Sequence, residues 1–299
     1  MTAIVKNNKY YGAHLSCSAK NGIISAIDEI NNVGGNMIQI FISNPMSTKY
    51  AIDTKKFSQN NCNLIKQKLI ETNSKIVIHL PYVINLAKPL DPNIEDSYWI
   101  SIICKQLIVS DSINSLGCVV HVGKHLALTP TEGTDNMYDA LKYIIEFIKS
   151  NNLNTFIILE TGAGQGSELL TTKNNSLEEF ANFYNRFSDD DKEHIRICVD
   201  TCHIFAAGYD ITNIDQVDEF FDDFNSSINL KYMALIHLND SKKICGSCVD
   251  RHENLGFGKI GITGLTHFIK HALNHNIPLI LETPNGYVSE LLLINSLNN

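Results

Sequence analysis

Residues 195–203 read Ile-Arg-Ile-Cys-Val-Asp-Thr-Cys-His, an apolar run that stops on Asp200 with His203 three residues further on. Buried parallel strands read as near-continuous apolar runs. A run that ends on a carboxylate sets a ligand-type group at the C-terminal end of its strand. The same ending recurs along the chain: YYGAH stops at His14, KIVIH at His79, CVVH at His121, FIILE at Glu160, ALIH at His237 and LILE at Glu282. An eighth run, MIQIFI, leads into Ser43 and Asn44 instead. In an eight-stranded (β/α) barrel the C-terminal strand ends converge on one face, and that face holds the active site. The pattern therefore predicts a single (β/α)8 TIM barrel over residues 1–299, with His, Glu and Asp lining one pocket at its C-terminal face.

The segments between the runs read as helices. Asn21 to Val33 carries Ile23, Ile24, Ile27 and Ile30 on one side and stops at Gly34-Gly35. Asp91-Pro92 suits an N-cap and first helical position, opening a helix that ends at Gly117. Ser176-Leu-Glu-Glu179 reads as a capping box. Further helical segments are expected near 57–73, 135–150 and 262–276. Strand–helix alternation throughout means a parallel sheet. The long segments 43–56, 81–91, 161–175 and 239–261 are then the loops that decorate the functional face.

Composition narrows the function. The net charge of −8 argues against a basic nucleic-acid module, but divalent cations would offset that charge inside the pocket. No apolar run reaches membrane-span length, and the N-terminus lacks a secretory apolar region. The eight cysteines show no framework spacing, so an intracellular, reducing compartment is expected. Cys245-Gly-Ser-Cys248 is a solitary CxxC with no second pair, and reads as a loop with two free thiols.

Zinc takes imidazole and carboxylate together, whereas magnesium takes oxygen. His79, His121, His203, His237 and His252 beside Glu160, Asp200, Asp250 and Glu282 are too rich in histidine for magnesium, and too many for one tetrahedral zinc. They suit two or three ions sharing a bridging carboxylate, a device that fits phosphoryl transfer. Any one strand-end histidine is more often a hydrogen-bonded core residue. Seven such ends together are not what packing selects, because buried unpaired charge is costly. Asp250-Arg-His252 spaces an acid and an imidazole by two, with Arg251 free to turn towards a phosphate.

The segments GAHLS (12–16), HLPYVINLA (79–87), HVGKH (121–125), LETGAGQGSE (159–168), VDTCHIFAAGYD (199–210), IHLNDSK (236–242), VDRHENLGFGKIG (249–261) and LET (281–283) resemble the endonuclease IV family of apurinic/apyrimidinic (AP) endonucleases. The resemblance implies a TIM barrel with three zinc ions that cuts damaged duplex DNA 5′ to an abasic site, leaving a 3′-hydroxyl and a 5′-deoxyribose phosphate, and that trims blocked 3′ ends. It implies a monomer. His79, His121 and Glu160 would hold the first zinc. Glu160 would bridge to a second, completed by Asp200, His237 and Glu282. His203, Asp250 and His252 would hold the third. Glu160, Asp200 and Glu282 are the implied catalytic carboxylates, and His14 is implied to support a ligand rather than to be one.

Tyr82 and Val83 are implied as a wedge that opens the duplex, with Asn85 positioning their loop. Lys124, Arg251, Lys242 and Lys243 read either as phosphate contacts or as solvated surface charges. One departure stands out: where the family carries a basic or bulky inserting residue followed by an aromatic, this chain has Met46 and Tyr50. A metal-dependent sugar isomerase or epimerase on a related barrel is the alternative reading. A catalytically silent DNA-binding barrel is a third, disfavoured by the complete set of nine ligand residues.

Overall fold

Eight strands close into a parallel barrel in the computed structural model, which describes residues 9–16, 22–47, 52, 55–91, 93, 97–172 and 175–298. In chain order they are β1 (Tyr11–His14), β2 (Met37–Ile40), β3 (Lys75–His79), β4 (Gly117–His121), β5 (Phe156–Glu160), β6 (Ile195–Asp200) and β7 (Met233–His237), with β10 (Leu279–Leu281) as the eighth. β1 pairs with both β2 and β10, which closes the ring. β8 (Asp240–Ser241) and β9 (His252–Glu253) form an antiparallel pair within the loop after β7. The expected TIM barrel is therefore present, and each apolar run in the sequence is a strand of it.

Side chains alternate along a strand, so residues i and i+2 share a face. Met37, Val77, Val119, Ile158, Cys198, Leu235 and Ile280 form a fully buried cluster of their own, one from each of β2, β3, β4, β5, β6, β7 and β10. This is the apolar filling of the barrel. At β1 the corresponding position is Gly12, where an added Cβ would stand 1.6 Å from the carbonyl oxygen of Met37. Burying each aliphatic side chain here contributes about 1.5–3 kcal/mol. Two residues further along every strand lies a second, polar layer: His14, Gln39, His79, His121, Glu160, Asp200, His237 and Glu282. The apolar layer thus fixes, by register alone, which side chains floor the barrel mouth.

The helices are α1 (Ile23–Asn32), α2 (Gln59–Glu71), α3 (Tyr98–Ser112), α4 (Pro130–Ser150), α5 (Glu178–Tyr184), α6 (Asp189–Lys192), α7 (Thr201–Ala207), α8 (Ile214–Ser227), α9 (Gly261–Asn274) and α10 (Val288–Asn298). They cover the barrel with the larger apolar core. α1 stops as expected, with Gly34 taking a left-handed φ of 87°.

Other helix ends differ from the sequence reading. Asp91 does not open α3; it accepts the Asn93 amide at 2.9 Å in a local turn, Pro92 lies outside the described residues, and the helix follows Ser97. It ends at Ser112, not at Gly117, which begins β4. Ser176 and Glu179 form no capping box. Ser176 Oγ accepts from the Glu178 amide at 3.2 Å, and the Glu179 carboxylate accepts from the amides of Leu170 and Thr171. Capping boxes form instead at Thr129 with Glu132 and at Ser188 with Asp191; Pro130 sits at the first helical position, so α4 begins five residues earlier than its apolar pattern suggests. Among the described residues no helix is long and apolar enough to cross a membrane.

Candidate metal centre

Glu160, at the end of β5, is 1% exposed and sits among four imidazoles. Its Oε2 lies 3.3 Å from His79 Nε2 and 3.2 Å from His121 Nε2. Its Oε1 lies 2.9 Å from His237 Nδ1 and 3.4 Å from His203 Nδ1. Glu282 Oε2 stands 3.4 Å from the same His237 nitrogen, and Asp200 Oδ2 3.9 Å. The third trio also meets: Asp250 is 3.3 Å from His203 Nε2 and 3.2 Å from His252 Nε2. Asp200 reaches this trio as well, 3.5 Å from His252 Nε2. All nine residues singled out from the sequence therefore converge at the barrel mouth.

The geometry fits cations. Charge-assisted hydrogen bonds run at about 2.7–2.9 Å. Ligand atoms around a tetrahedral zinc with bonds near 2.0 Å stand about 3.3 Å apart. Four of these histidine–carboxylate pairs lie at 3.2–3.3 Å. The Nε2 atoms of His203 and His252 are buried without a hydrogen-bond partner, which is costly for a nitrogen that water cannot reach. Candidate ligand groups with atoms within 4.8 Å of one another include His79–His121–Glu160, Glu160–Asp200–His237–Glu282 and Asp200–His203–His252. The first two share Glu160, as a bridging carboxylate must. Cys202 also falls within this range of Asp250 and His252, and burial pushes its thiol up to about 12.

The far nitrogen of most rings is fixed, which orients a ligand and sets its tautomer. His79 Nδ1 faces the carbonyl of Leu80 at 2.7 Å, and His203 Nδ1 that of Thr161 at 2.8 Å. Asp200 is braced by Asn239 Nδ2 at 2.8 Å, and Asn239 Oδ1 accepts the Glu282 amide. The electrostatics reflect four carboxylates, three of them largely buried. Burial favours the neutral acid at Glu160, yet the neighbouring His237 and His121 outweigh it and hold its pKa well down. Burial likewise disfavours a charged His252, but Asp200 and Asp250 keep its pKa up at about 9. Such a field attracts divalent cations.

Sequence reading missed one member of the polar floor. Gln39 is fully buried in β2 and occupies the position that the other seven strands give to His, Glu or Asp. Its Nε2 donates to Glu282 Oε1 at 2.6 Å, and its Oε1 lies 2.8 Å from His237 Nε2. A proton on that Nε2 leaves His237 Nδ1 free to face the carboxylates. The signal was the lone glutamine inside MIQIFI; Ser43, further along, instead accepts from Gln106 Nε2. His14 Nδ1 lies 3.1 Å from the same Glu282 oxygen. Gln39→Leu is expected to weaken metal retention by about 10- to 100-fold, read by competition with a chelator; unchanged retention would rule this bracing out.

The rim residues are placed as follows. Tyr82 is 46% and Val83 41% exposed, and the Tyr82 ring lies 5.2 Å from that of His79 and 5.5 Å from that of His121. Asn85 spends its amide on the Lys124 backbone, at 2.9 and 2.8 Å, and so ties the loop after β3 to the loop after β4. Lys124 Nζ faces Glu168 at 3.2 Å. Lys242 Nζ stands 4.0 Å from Glu253, and Lys243 is exposed. Arg251 is exposed beside Asp250. Met46 is 69% exposed, whereas Tyr50 lies outside the described residues. Cys245 and Cys248 are free thiols.

Comparison with known proteins identifies the family. Residues 27–296 match the family described as Xylose isomerase-like TIM barrel. A protein of Bacillus licheniformis named endonuclease 4 is 32% identical over 280 residues, 93% of this chain and 88% of that protein. One of Acanthamoeba polyphaga mimivirus, also named endonuclease 4, is 34% identical over 279 residues, 91% of this chain and 85% of that one. The crystal structure of endonuclease IV from Thermus thermophilus superposes with a TM-score of 0.75 at 25% identity, covering 96% of this chain and 98% of that one. A D-tagatose 3-epimerase-like protein shares the fold alone, with a TM-score of 0.64 at 15% identity over 96% of this chain and 98% of that one. By its barrel, its motifs and these relatives, the chain belongs to the endonuclease IV family of AP endonucleases.

Proposed function

We propose that this protein is a zinc-dependent DNA-repair nuclease that hydrolyses the phosphodiester 5′ to an abasic site in duplex DNA. The products are a 3′-hydroxyl and a 5′-deoxyribose phosphate, and the same site clears blocked 3′ ends. Residues 1–299 act as one domain, monomeric and intracellular. The observation that carries this reading is the pair of ligand groups sharing Glu160, with the trio His203, Asp250 and His252 beside them. That trio also disfavours a sugar isomerase, whose sites tend towards oxygen ligands for magnesium or manganese.

His79, His121 and Glu160 would hold one zinc, Glu160, Asp200, His237 and Glu282 a second, and His203, Asp250 and His252 a third. Zinc bound in such a cluster supplies Lewis acidity, which activates water at neutral pH and offsets charge on attacking and leaving oxygens. The chain's own part is to fix and shield these groups. Glu160 and Glu282 stay ionised against burial because neighbouring imidazoles hold their pKa values down. Gln39, His14 and Asn239 hold the carboxylates in place. The apolar layer beneath excludes water from below.

DNA must be opened to bring an abasic nucleotide to this floor. Tyr82 and Val83 stand at its edge, half-exposed and backed by Phe41, whose ring is 5.1 Å from that of Tyr82. They are the wedge in this reading, entering the gap as apolar side chains do in bent duplexes. Arg251, Lys242 and Lys243 supply phosphate contacts. Asn85 acts by tying two loops together, and the charge of Lys124 is shared with Glu168. Tyr82→Ala should leave zinc content unchanged and lower kcat/KM for an abasic duplex by about 10- to 100-fold, or ~1.4–2.7 kcal/mol. Equal incision by wild type and variant would remove the wedge.

The deciding test is cleavage of a labelled duplex carrying one tetrahydrofuran abasic analogue, before and after chelation. A tetrahydrofuran site cannot undergo β-elimination, so a 5′ cut leaving a 3′-hydroxyl is hydrolysis. Loss on chelation and recovery with zinc is the expected result. An intact duplex with fully metal-loaded protein would overturn the DNA assignment and direct attention to sugar substrates.

A further inference from the structure

A second convergence of metal-type ligands lies away from the barrel mouth, on the outer helical ring. His267 and His271 stand one turn apart on α9, so they share a face of that helix. Both direct Nε2 at a single oxygen, Asp218 Oδ1 on α8, each at 2.6 Å. The ligand atoms of all three lie within 4.8 Å of one another. The rings are held in place: His271 stacks on Phe221 with centroids 4.4 Å apart and planes 13° apart, and His267 meets His271 edge-on at 4.9 Å.

Two imidazoles and a carboxylate are a donor set that zinc favours. The side chains are 22%, 25% and 48% exposed for His267, His271 and Asp218, so an ion can reach them and water can complete the coordination. Asp215, Glu219 and Asp222 line the same surface concavity as Asp218, which makes the local field negative. A tetrahedral zinc needs its ligand atoms about 3.3 Å apart. The half-exposed Asp218 side chain reaches that spacing by withdrawing less than ~1 Å. Each neutral imidazole need only carry its proton on Nδ1.

We propose that Asp218, His267 and His271 bind one zinc ion that is separate from the barrel-mouth centre and clamps α8 to α9. No step of the incision chemistry involves it, and the proposal stands whether or not the DNA reading does.

The test is to strip the full-length protein with a strong chelator and titrate it with zinc against a chromophoric competitor. Wild type, a His267→Gln/His271→Gln double variant and Asp218→Asn are compared. Wild type should take up one more equivalent per chain than either variant. Its Tm should continue to rise with zinc after the barrel-mouth sites are filled, a rise the variants lack. All three, fully loaded, should incise abasic DNA equally if the DNA reading holds. Equal zinc uptake by wild type and variants would overturn the proposal and leave a hydrogen-bonded clasp between the helices. Should the double variant fail to fold, Asp218→Asn decides, since it keeps both histidines and changes one atom of the carboxylate.

Discussion

Glu160→Ala is expected to abolish incision of an abasic duplex, by at least ~10³-fold, which is about 4 kcal/mol in the barrier. No other side chain in the site faces four imidazoles. Its two oxygens divide them, His79 and His121 on one side, His203 and His237 on the other. Truncation therefore removes a candidate ligand from two groups at once and leaves buried nitrogens facing a void. Removing one member of a buried charged network costs about 3–5 kcal/mol, so a fall in Tm should accompany the loss of activity. Glu160→Gln separates the two effects. It keeps the volume at the end of β5 but deletes the charge, and should lose bound metal and activity with less effect on folding. Metal analysis, Tm and incision rate check the pair of variants. Near-normal turnover with unchanged metal content in Glu160→Ala would overturn the assignment of the centre.

The second large effect is predicted at a residue that touches no ligand atom. Asp240 is fully buried, and its carboxylate gathers backbone amides from the loop after β7. Oδ2 accepts from Gly256 and Gly258, each at 3.0 Å, and Oδ1 accepts from Ile260 at 3.0 Å and from Ser241 at 2.7 Å. The packing is close enough that a Cβ on Gly258 would stand 2.4 Å from Asp240 Oδ1. That loop returns through β9 carrying His252, with Asp250 two residues before it. Asp240→Ala strands several buried amides at about 1–3 kcal/mol each. The expected outcome is a stability loss of at least ~3 kcal/mol by denaturant unfolding, together with selective loss of the ion proposed for His203, Asp250 and His252. Retention of all bound metal would show that the loop is held by other contacts.

The sequence made the barrel legible because strand periodicity is local. Each apolar run carries its own register, and a ligand two residues after an inward apolar side chain must share its face. Hence His79 follows Val77, Glu160 follows Ile158 and Asp200 follows Cys198 inside the barrel. Reading the end of each run rather than its register explains the one omission. MIQIFI continues past the end of β2 at Ile40, so the run ends beside Ser43 and Asn44 while Gln39 holds the inward position. The helix starts failed for a related reason. Ser176-x-x-Glu179 has the letters of a capping box, but the Glu179 carboxylate is drawn to the amides of Leu170 and Thr171 across the turn.

By itself, then, the sequence determined the fold class, the nine residues that converge at the barrel mouth and the family, all of which rest on short-range pattern and motif. Tertiary structure alone decided which polar groups meet. Gln39 finds Glu282 across 243 residues, Asp240 gathers amides up to 21 residues away, and Asp218 meets His267 and His271 across a helix–helix contact. A polar side chain pairs with whatever lies within about 3 Å. What lies there is set by closure of the barrel, not by its neighbours in the chain.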